Sequence, residues 1–501
     1  MKRVGTILLA GAAALLLVPA FLRSSPLPQL GSGVVVMTPH NEQIRFELGS
    51  RFSQWHKREF GTDAHVAWST PGGTSEIRKL LQSQWKAAAS AGVPYGGDID
   101  LVFGGGSYEH GVLAKPTQSD DPESTISFPH GFSTDELSSW FSSETIADGR
   151  LYDEQSYWIG TALSSFGLIW NEDEFDQLGL PRPTDWSMLA HPKLRGRVAF
   201  VNPAMSGSVT TALQSILEHL GWQRGWGLIR RASANARSIS GSSSRVPGDV
   251  GAGEAAIGPC IDFYGRAQVA ALEAAGISGR IKYRDAAGQT VVDADPISLL
   301  RGAPNPELAK RFIRFCLTTE AQALWQLPPS DPDGPERFAL RRLPIRAEVY
   351  EHLGDRMLDQ VDPFSEAQVA AYPNRAARAF IVPLFLAMAM DHRDELREAW
   401  QAIVEHPAYP ATDGVVMAAD VDDPELRLML QHFDALPSVP MPNDTMADLN
   451  DPETLAAVKA GWLREGFLAM GWWDLESNGT HALQGRASTF FLEQYQKVVN
   501  P

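Results

Sequence analysis

Five short polar turns carry most of the residues in this chain that could bind a ligand. Each turn follows an apolar, strand-like run and leads into a helix-like segment. At such a position the first N–H groups of the helix have no partner inside it, and they attract anions. The five turns are Thr38–Asn41, Gly73–Ser75, Gly105–Ser107, Ser206–Ser208 and Asp262–Tyr264.

Hydroxyl groups at a helix start also have an ordinary explanation, because Ser, Thr and Asn side chains cap helices. For a single turn that explanation is sufficient. Five donor-rich turns at the carboxyl ends of strands instead predict one shared cleft. Such a cleft suits a small oxyanion, or an anion that accompanies a metal ion.

His40 is the only imidazole in these turns. A hard trivalent cation such as iron(III) prefers oxygen ligands with an occasional imidazole, and His40, Glu42, Asp262 and Tyr264 could supply them. Three roles therefore stay open for His40, namely ligand contact, metal coordination and capping of a turn. In a binding role, its expected partner across the cleft is Asp262 or Tyr264.

Other chemistry is disfavoured by what the sequence lacks. It contains no dinucleotide-binding fingerprint, no phosphate-binding P-loop, no HExxH zinc motif and no G-x-S-x-G nucleophile motif, so we expect neither an enzyme nor a resident cofactor. The net charge of −17 argues against a nucleic-acid partner. Cys260 and Cys316 form neither a disulfide scaffold nor a thiolate zinc site, and whether they pair stays open.

The elements around the turns predict an α/β protein. Three strand–turn–helix units within the first 110 residues indicate a parallel sheet with right-handed crossovers. A second α/β set begins at Arg197–Val201 and includes the strand-like run Ala255–Ile261. With 501 residues, the chain is too long for one ordinary core, and we expect two or three domains.

The two ends of the chain differ from this pattern. Residues 1–30 predict a signal peptide or an N-terminal membrane anchor, because Lys2 and Arg3 precede an uncharged run of near-spanning length. Export to the periplasm or cell envelope follows in either case. Residues 351–501 predict a mainly helical C-terminal extension, with a linker-like break at Pro437–Pro442.

The order of several motifs resembles a known family. The chain is similar to extracellular solute-binding proteins of bacterial ABC importers, the type 2 periplasmic binding proteins of the iron(III)/thiamine/polyamine-type branch. The resemblance spans roughly residues 33–346. It is carried by VVVMTPHNEQIR, TPGGTSEI, DLVFGGGSYEHGVLA, YWIGTALSSFGLIWN, LRGRVAFVNPAMSGS, VGAGEAAIGPCIDFYGRAQ, ADPISLLRGAPNPELAKRFIRFCLT and RRLPIR.

The resemblance implies two lobes joined by hinge segments, with a ligand held between them. The implied organisation is a first lobe of residues 31–156 and 291–350 and a second lobe of residues 157–290. Crossovers are expected near Tyr157–Ser164 and Thr290–Ile297. The implied ligand contacts are Thr38, His40, Asn41, Gly73, Thr74, Ser75, Gly105, Ser107, Ser206, Gly207, Ser208, Asp262 and Tyr264.

Iron-binding relatives commonly have two adjacent tyrosines where this chain has Asp262-Phe263-Tyr264. A metal set of His40, Asp262 and Tyr264, with iron(III) as the transported ligand, is therefore only one hypothesis. The leading hypothesis is a monomeric, non-enzymatic binding protein that captures a small anion or a metal–anion complex for an ABC permease. The alternatives are a membrane-anchored ligand-sensing module and an enzyme on the same fold.

Overall fold

The computed structural model describes residues 33–93, 97–117, 121, 124–286, 288–412, 414–441, 445–462 and 479–500. The signal or anchor segment predicted for residues 1–30 lies outside this part of the chain. Across the ranges that are described, no helix is both long and apolar enough to cross a bilayer.

The first α/β unit is built as the sequence predicts. Its elements are β1 Gly33–Met37, α1 Glu42–Phe60, β2 His65–Ser69, α2 Thr74–Ala91, β3 Leu101–Phe103, α3 Ser107–Leu113, β4 Ser127–Phe128, α4 Thr134–Trp140, β5 Thr145–Ile146, β6 Gly149–Arg150 and β7 Ile159–Ser164. Strand β1 pairs in parallel with β2 on one side and β3 on the other. The crossover helices bury apolar stripes such as Ile44, Leu48 and Phe52 of α1 beneath this sheet.

A second sheet begins directly after β7. Its elements are β8 Phe166–Asn171, α5 Glu172–Leu178, β9 Val198–Val201, α6 Gly207–Leu220, α7 Trp222–Ala234, β10 Ala236–Ser240, α8 Val246–Gly251, β11 Ile257–Ile261, α9 Asp262–Ala274 and β12 Ile281–Asp285. The strand order is β10-β9-β11-β8-β12. Strand β8 is antiparallel to both β11 and β12, whereas β9 and β10 are parallel.

The chain then returns to the first sheet. The returning elements are β13 Asp293–Leu300, α10 Pro306–Cys316, α11 Thr319–Ala323, β14 Leu343–Pro344 and α12 Ala347–Leu353. Strand β13 is antiparallel to β3, β4 and β7, which gives the order β14-β7-β13-β3-β1-β2 with β4 beside β13. We call the part around this seven-stranded sheet the first lobe and the part around the five-stranded sheet the second lobe.

The two lobes are joined where the chain changes sheet. The first change falls at Ser165, between β7 and β8, and the second falls between Asp285 and Asp293. Both lie next to the predicted crossover segments. The two cysteines are buried and free, because Cys260 belongs to the core of the second lobe and Cys316 to that of the first.

From Ala376 onward, the C-terminal extension packs on the second lobe. Before that point, Phe364 packs against the core of the first lobe. The elements of the extension are α13 Pro363–Glu366, α14 Arg378–Phe385, α15 Arg393–Glu405, α16 Pro424–Asp434, β15 Ser438–Met441, β16 Thr445–Asp448, α17 Leu455–Trp462 and α18 Gly479–Val499. Apolar residues of this extension and of the second lobe form one continuous core. The linker-like break predicted at Pro437–Pro442 is wrong, because β15 pairs with β16 in a hairpin that buries Val439.

Candidate functional site

A cavity of about 320 Å³ lies between the two lobes, where the predicted turns meet. Eight of the thirteen predicted contact residues line it. These are His40, Asn41, Gly73, Thr74, Gly105, Ser206, Ser208 and Tyr264. The other five, Thr38, Ser75, Ser107, Gly207 and Asp262, lie behind its walls or at its edge.

The first turn is shaped by its own polar side chains. Thr38 is completely buried, and its Oγ1 accepts a hydrogen bond from the His40 N–H at 3.1 Å. Asn41 caps α1, because its Oδ1 accepts the Ile44 N–H at 3.0 Å. Thr38 therefore holds the backbone of the turn, while His40 and Asn41 reach the cavity.

Asp295 connects this turn with the rest of the cavity wall. Its Oδ2 lies 2.8 Å from His40 Nε2 and 2.9 Å from Arg342 Nη1, and its Oδ1 accepts the Gly105 N–H at 2.9 Å. Burial opposes ionisation of Asp295, but Arg342 and His40 outweigh it and lower its pKa to about 2. The prediction that His40 pairs with Asp262 or Tyr264 is therefore wrong, because its partner is Asp295.

Burial also affects the pKa of His40. Desolvation of the ring lowers the pKa of His40 below its ordinary value, despite the neighbouring Asp295 carboxylate. The ring packs edge-on against Phe103, with the ring centres 4.6 Å apart. Gly104 adopts a φ of 94°, and a Cβ atom there would lie 2.6 Å from His40 Nε2. Only glycine fits this close approach.

The second and fourth turns face each other across the cleft. Gly73 is the N-cap of α2 in the first lobe, and Ser206 is the N-cap of α6 in the second. A Cβ atom on Gly207 would lie 2.8 Å from Thr74 Oγ1, so the two helix starts touch. Donor groups of both lobes therefore converge on one cavity, as the sequence predicts.

Ser75 and Ser107, which do not line the cavity themselves, each bind the carboxyl group of an acidic residue. Ser75 Oγ donates a hydrogen bond to Glu109 Oε1 at 3.3 Å, and Arg78 forms an ion pair with the same carboxylate. Ser107 binds the carboxyl group of Asp293, whose pKa is raised because burial outweighs these hydrogen bonds. Asp293 itself lines the cavity.

Of the predicted metal set, His40 and Tyr264 line the cavity, whereas Asp262 does not. Asp262 is completely buried and lies 3.4 Å from Arg266 Nη1, while burial raises its pKa to about 7. Tyr264 lines the cavity without Asp262. Among the residues that the structure describes, no group of three or more His, Cys, Asp or Glu side chains could hold a metal ion.

Sequence reasoning missed several residues of the cavity. Arg342 is one of them, although it belongs to the RRLPIR motif that carried the resemblance. Asp293 and Asp295 alternate along β13, so strand periodicity places both on one face, and that signal was present in the sequence. The other missed lining residues include Ser164, Met205, Thr211, Ser242, Ser243, Ser244 and Phe263.

Comparisons with known proteins agree with this architecture. The family model described as bacterial extracellular solute-binding protein matches residues 80–329. The periplasmic binding protein AfuA from Actinobacillus pleuropneumoniae superposes with a TM-score of 0.51 at 14% identity, covering 74% of this chain and 98% of that one. The chain belongs to the bacterial extracellular solute-binding proteins, and the prediction of a two-lobed periplasmic-binding-protein-like fold is confirmed.

Curated relatives match a shorter part of the chain. The phosphoglycerate transport regulatory protein PgtC of Salmonella typhimurium is 25% identical over 226 residues, which is 42% of this chain and 55% of that protein. An uncharacterized protein of Haemophilus influenzae is 26% identical over 174 residues, which is 33% of this chain and 46% of that one. The chain thus spans about half the length of the curated relatives it matches.

Proposed function

We propose that this protein captures a small phosphorylated organic anion in the periplasm and delivers it to an ABC permease. One observation carries the proposal. The starts of α2 and α6, from opposite lobes, face each other across a single cavity. A phosphate group there would accept hydrogen bonds from N–H and hydroxyl donors of both lobes, so binding would hold the lobes together.

The charges in the cavity favour an anion over a cation. Asp295 is paired with Arg342, and the carboxyl group of Asp293 accepts hydrogen bonds from Ser107. Glu76 uses its Oε2 to accept the Gly73 N–H at 2.9 Å. A polyamine would need carboxylates that are free to pair with its ammonium groups, and these three already bind groups of the protein.

The similar proteins support the same ligand class. PgtC is named for phosphoglycerate transport, and AfuA holds fructose-6-phosphate. Both of these ligands are phosphate esters. An iron(III)–anion complex is the weaker proposal, with Tyr264 as the phenol that lines the cavity.

A second candidate function is ligand sensing at the membrane. The regulatory role in the name of PgtC favours it, and an uncleaved N-terminal segment would suit it. In both candidate functions the cavity binds the same kind of solute, and the partner differs. Co-purification of the native protein with either a permease or a membrane-bound signalling partner separates the two.

A calorimetric and thermal-shift panel tests the ligand class. The panel contains 3-phosphoglycerate, fructose 6-phosphate, inorganic phosphate, sulfate, iron(III) citrate and spermidine. A ligand at 100 times its dissociation constant stabilises the protein by about 2.7 kcal/mol, and we expect this for a phosphate ester. If no phosphate compound shifts the unfolding temperature, the proposed ligand class is wrong.

The hydroxyl groups at the two helix starts give a sharper test. We predict that Thr74→Ala combined with Ser208→Ala weakens binding of the phosphate ester by at least tenfold, because both hydroxyls line the cavity. The matched control combines Ser133→Ala and Thr318→Ala, which remove helix caps away from the cavity. Each control cap costs about 1 kcal/mol of stability and no affinity. Equal affinity loss in both double variants would refute direct contact.

A further inference from the structure

Arg378 is a residue of the C-terminal extension that reaches the start of α6. Its Nη1 donates hydrogen bonds to Thr211 Oγ1 at 3.0 Å and to Gln214 Oε1 at 3.1 Å. Its Nη2 lies 3.5 Å from the carbonyl oxygen of Gly207. The extension therefore contributes a guanidinium directly behind the helix start that carries Ser208.

The positive charge of Arg378 is not neutralised by an ion pair. No carboxylate in the described part of the chain lies within 4.0 Å of its guanidinium nitrogens, and its buried Nε has no hydrogen-bond partner there. Burial lowers the pKa of Arg378, which reflects the cost of keeping this charge out of water. A buried cation of this kind is stabilised when an anion approaches.

The side chain of Thr211 lies between this guanidinium and the cavity. Thr211, which accepts the hydrogen bond from Arg378, also lines the cavity together with Gly106 and Asp293. Glu109 lies nearby but already pairs with Arg78. Asp293 and Glu109 act on Arg378 without forming an ion pair with it, and each raises its pKa. A ligand anion in the cavity would add to this stabilisation of the Arg378 charge.

Arg378 also touches the first lobe. Its guanidinium carbon lies 3.9 Å from the centre of the Tyr108 ring, which belongs to α3. One side chain of the extension thus contacts both walls of the cleft, α6 in the second lobe and α3 in the first.

We propose that Arg378 is a positioning residue for anion capture, through which the C-terminal extension supplies positive charge and a fixed Thr211 hydroxyl to the cleft. This inference rests on the proposed function. It gives the extension a role in ligand binding, beyond packing on the second lobe. It also predicts that the charge of residue 378, rather than its exact shape, determines the affinity for an anion.

Calorimetry of the purified protein with 3-phosphoglycerate and fructose 6-phosphate tests this role. We expect Arg378→Gln to weaken binding of the better ligand by at least tenfold, because the variant keeps hydrogen-bonding capacity and loses the charge. Arg378→Lys keeps the charge and should remain within about fivefold of the wild type. The matched control is Arg393→Gln, since Arg393 also binds carbonyl oxygens of the second lobe, those of Ala236 and Arg237.

The outcomes separate this inference from the proposed function. Wild-type binding with unchanged affinity in Arg378→Gln overturns the role of Arg378 and leaves the ligand class intact. Equal losses in the Gln and Lys variants also overturn it, because charge would then not be the property that matters. A lower unfolding temperature in both Arg378→Gln and Arg393→Gln, with unchanged affinity, identifies a structural role only. If the wild type binds neither ester, both proposals fail.

Discussion

At the scale of single residues, the cleft depends on one carboxylate. Asp295 binds the imidazole of His40, the guanidinium of Arg342 and the backbone N–H of Gly105. These groups come from three separate segments of the first lobe, and the side chains of His40, Arg342 and Asp295 are nearly fully buried. Arg342 is nearly fully buried and also donates to Ser164 Oγ at 2.7 Å beside the hinge. Asp295 therefore fixes the cavity wall and the chain crossover together.

We predict that Asp295→Asn destabilises the protein by about 3 kcal/mol, because Arg342 would keep its charge without a counter-ion. Urea denaturation measures the loss. The matched control is Asp176→Asn, which breaks an exposed pair with Arg182 of 2.6 Å and should cost less than about 1 kcal/mol. Similar costs for the two variants would show that Asp295 is not the organising charge.

At the scale of elements, the starts of the helices could be predicted from the sequence, whereas the contacts between charged side chains in the cleft could not. Buried β-branched strands followed by polar turns specify where α1, α2 and α6 begin, since local periodicity and capping determine these boundaries. The pairing of His40 with Asp295 spans 255 positions, and the whole second lobe lies between the two residues in the sequence. Local patterns contain no information on such a contact, so they predict Asp262 or Tyr264 as the partner of His40 and miss Asp295.

Closure of the lobes depends on the contact between α2 and α6. We predict that Gly207→Val weakens ligand binding at least tenfold with little change in stability. The new side chain would clash with Thr74 and Glu109, which belong to the opposite lobe, so it would hinder closure of the cleft. Calorimetry gives the affinity, and small-angle scattering shows whether ligand still compacts the protein. Gly248→Ala is the control, since its Cβ meets nothing within 4 Å. Normal affinity in Gly207→Val would mean that binding does not need this closed contact.

At the scale of the whole molecule, the chain passes between the lobes a third time. After α12 packs on the first lobe, the extension joins the core of the second lobe from Ala376 onward. A buried ion pair links α7 with α16, where Arg231 contacts both carboxylate oxygens of Asp434 at 2.6 and 2.9 Å. Arg230 beside it donates to the carbonyl oxygens of Phe433 and Ala435. The extension and the second lobe should therefore unfold together.

This coupling predicts the effect of Asp434→Asn. Two guanidinium groups would lose their shared buried carboxylate, so we expect a loss of about 3–5 kcal/mol in unfolding free energy. Hydrogen exchange should rise in α7 and α16 to the same extent, because both belong to one core. Asp420→Asn is the control, since it breaks the half-exposed pair with Arg224 that also joins α7 to the extension. Faster exchange confined to α16 would instead show that the extension is a separate folding unit attached to the second lobe.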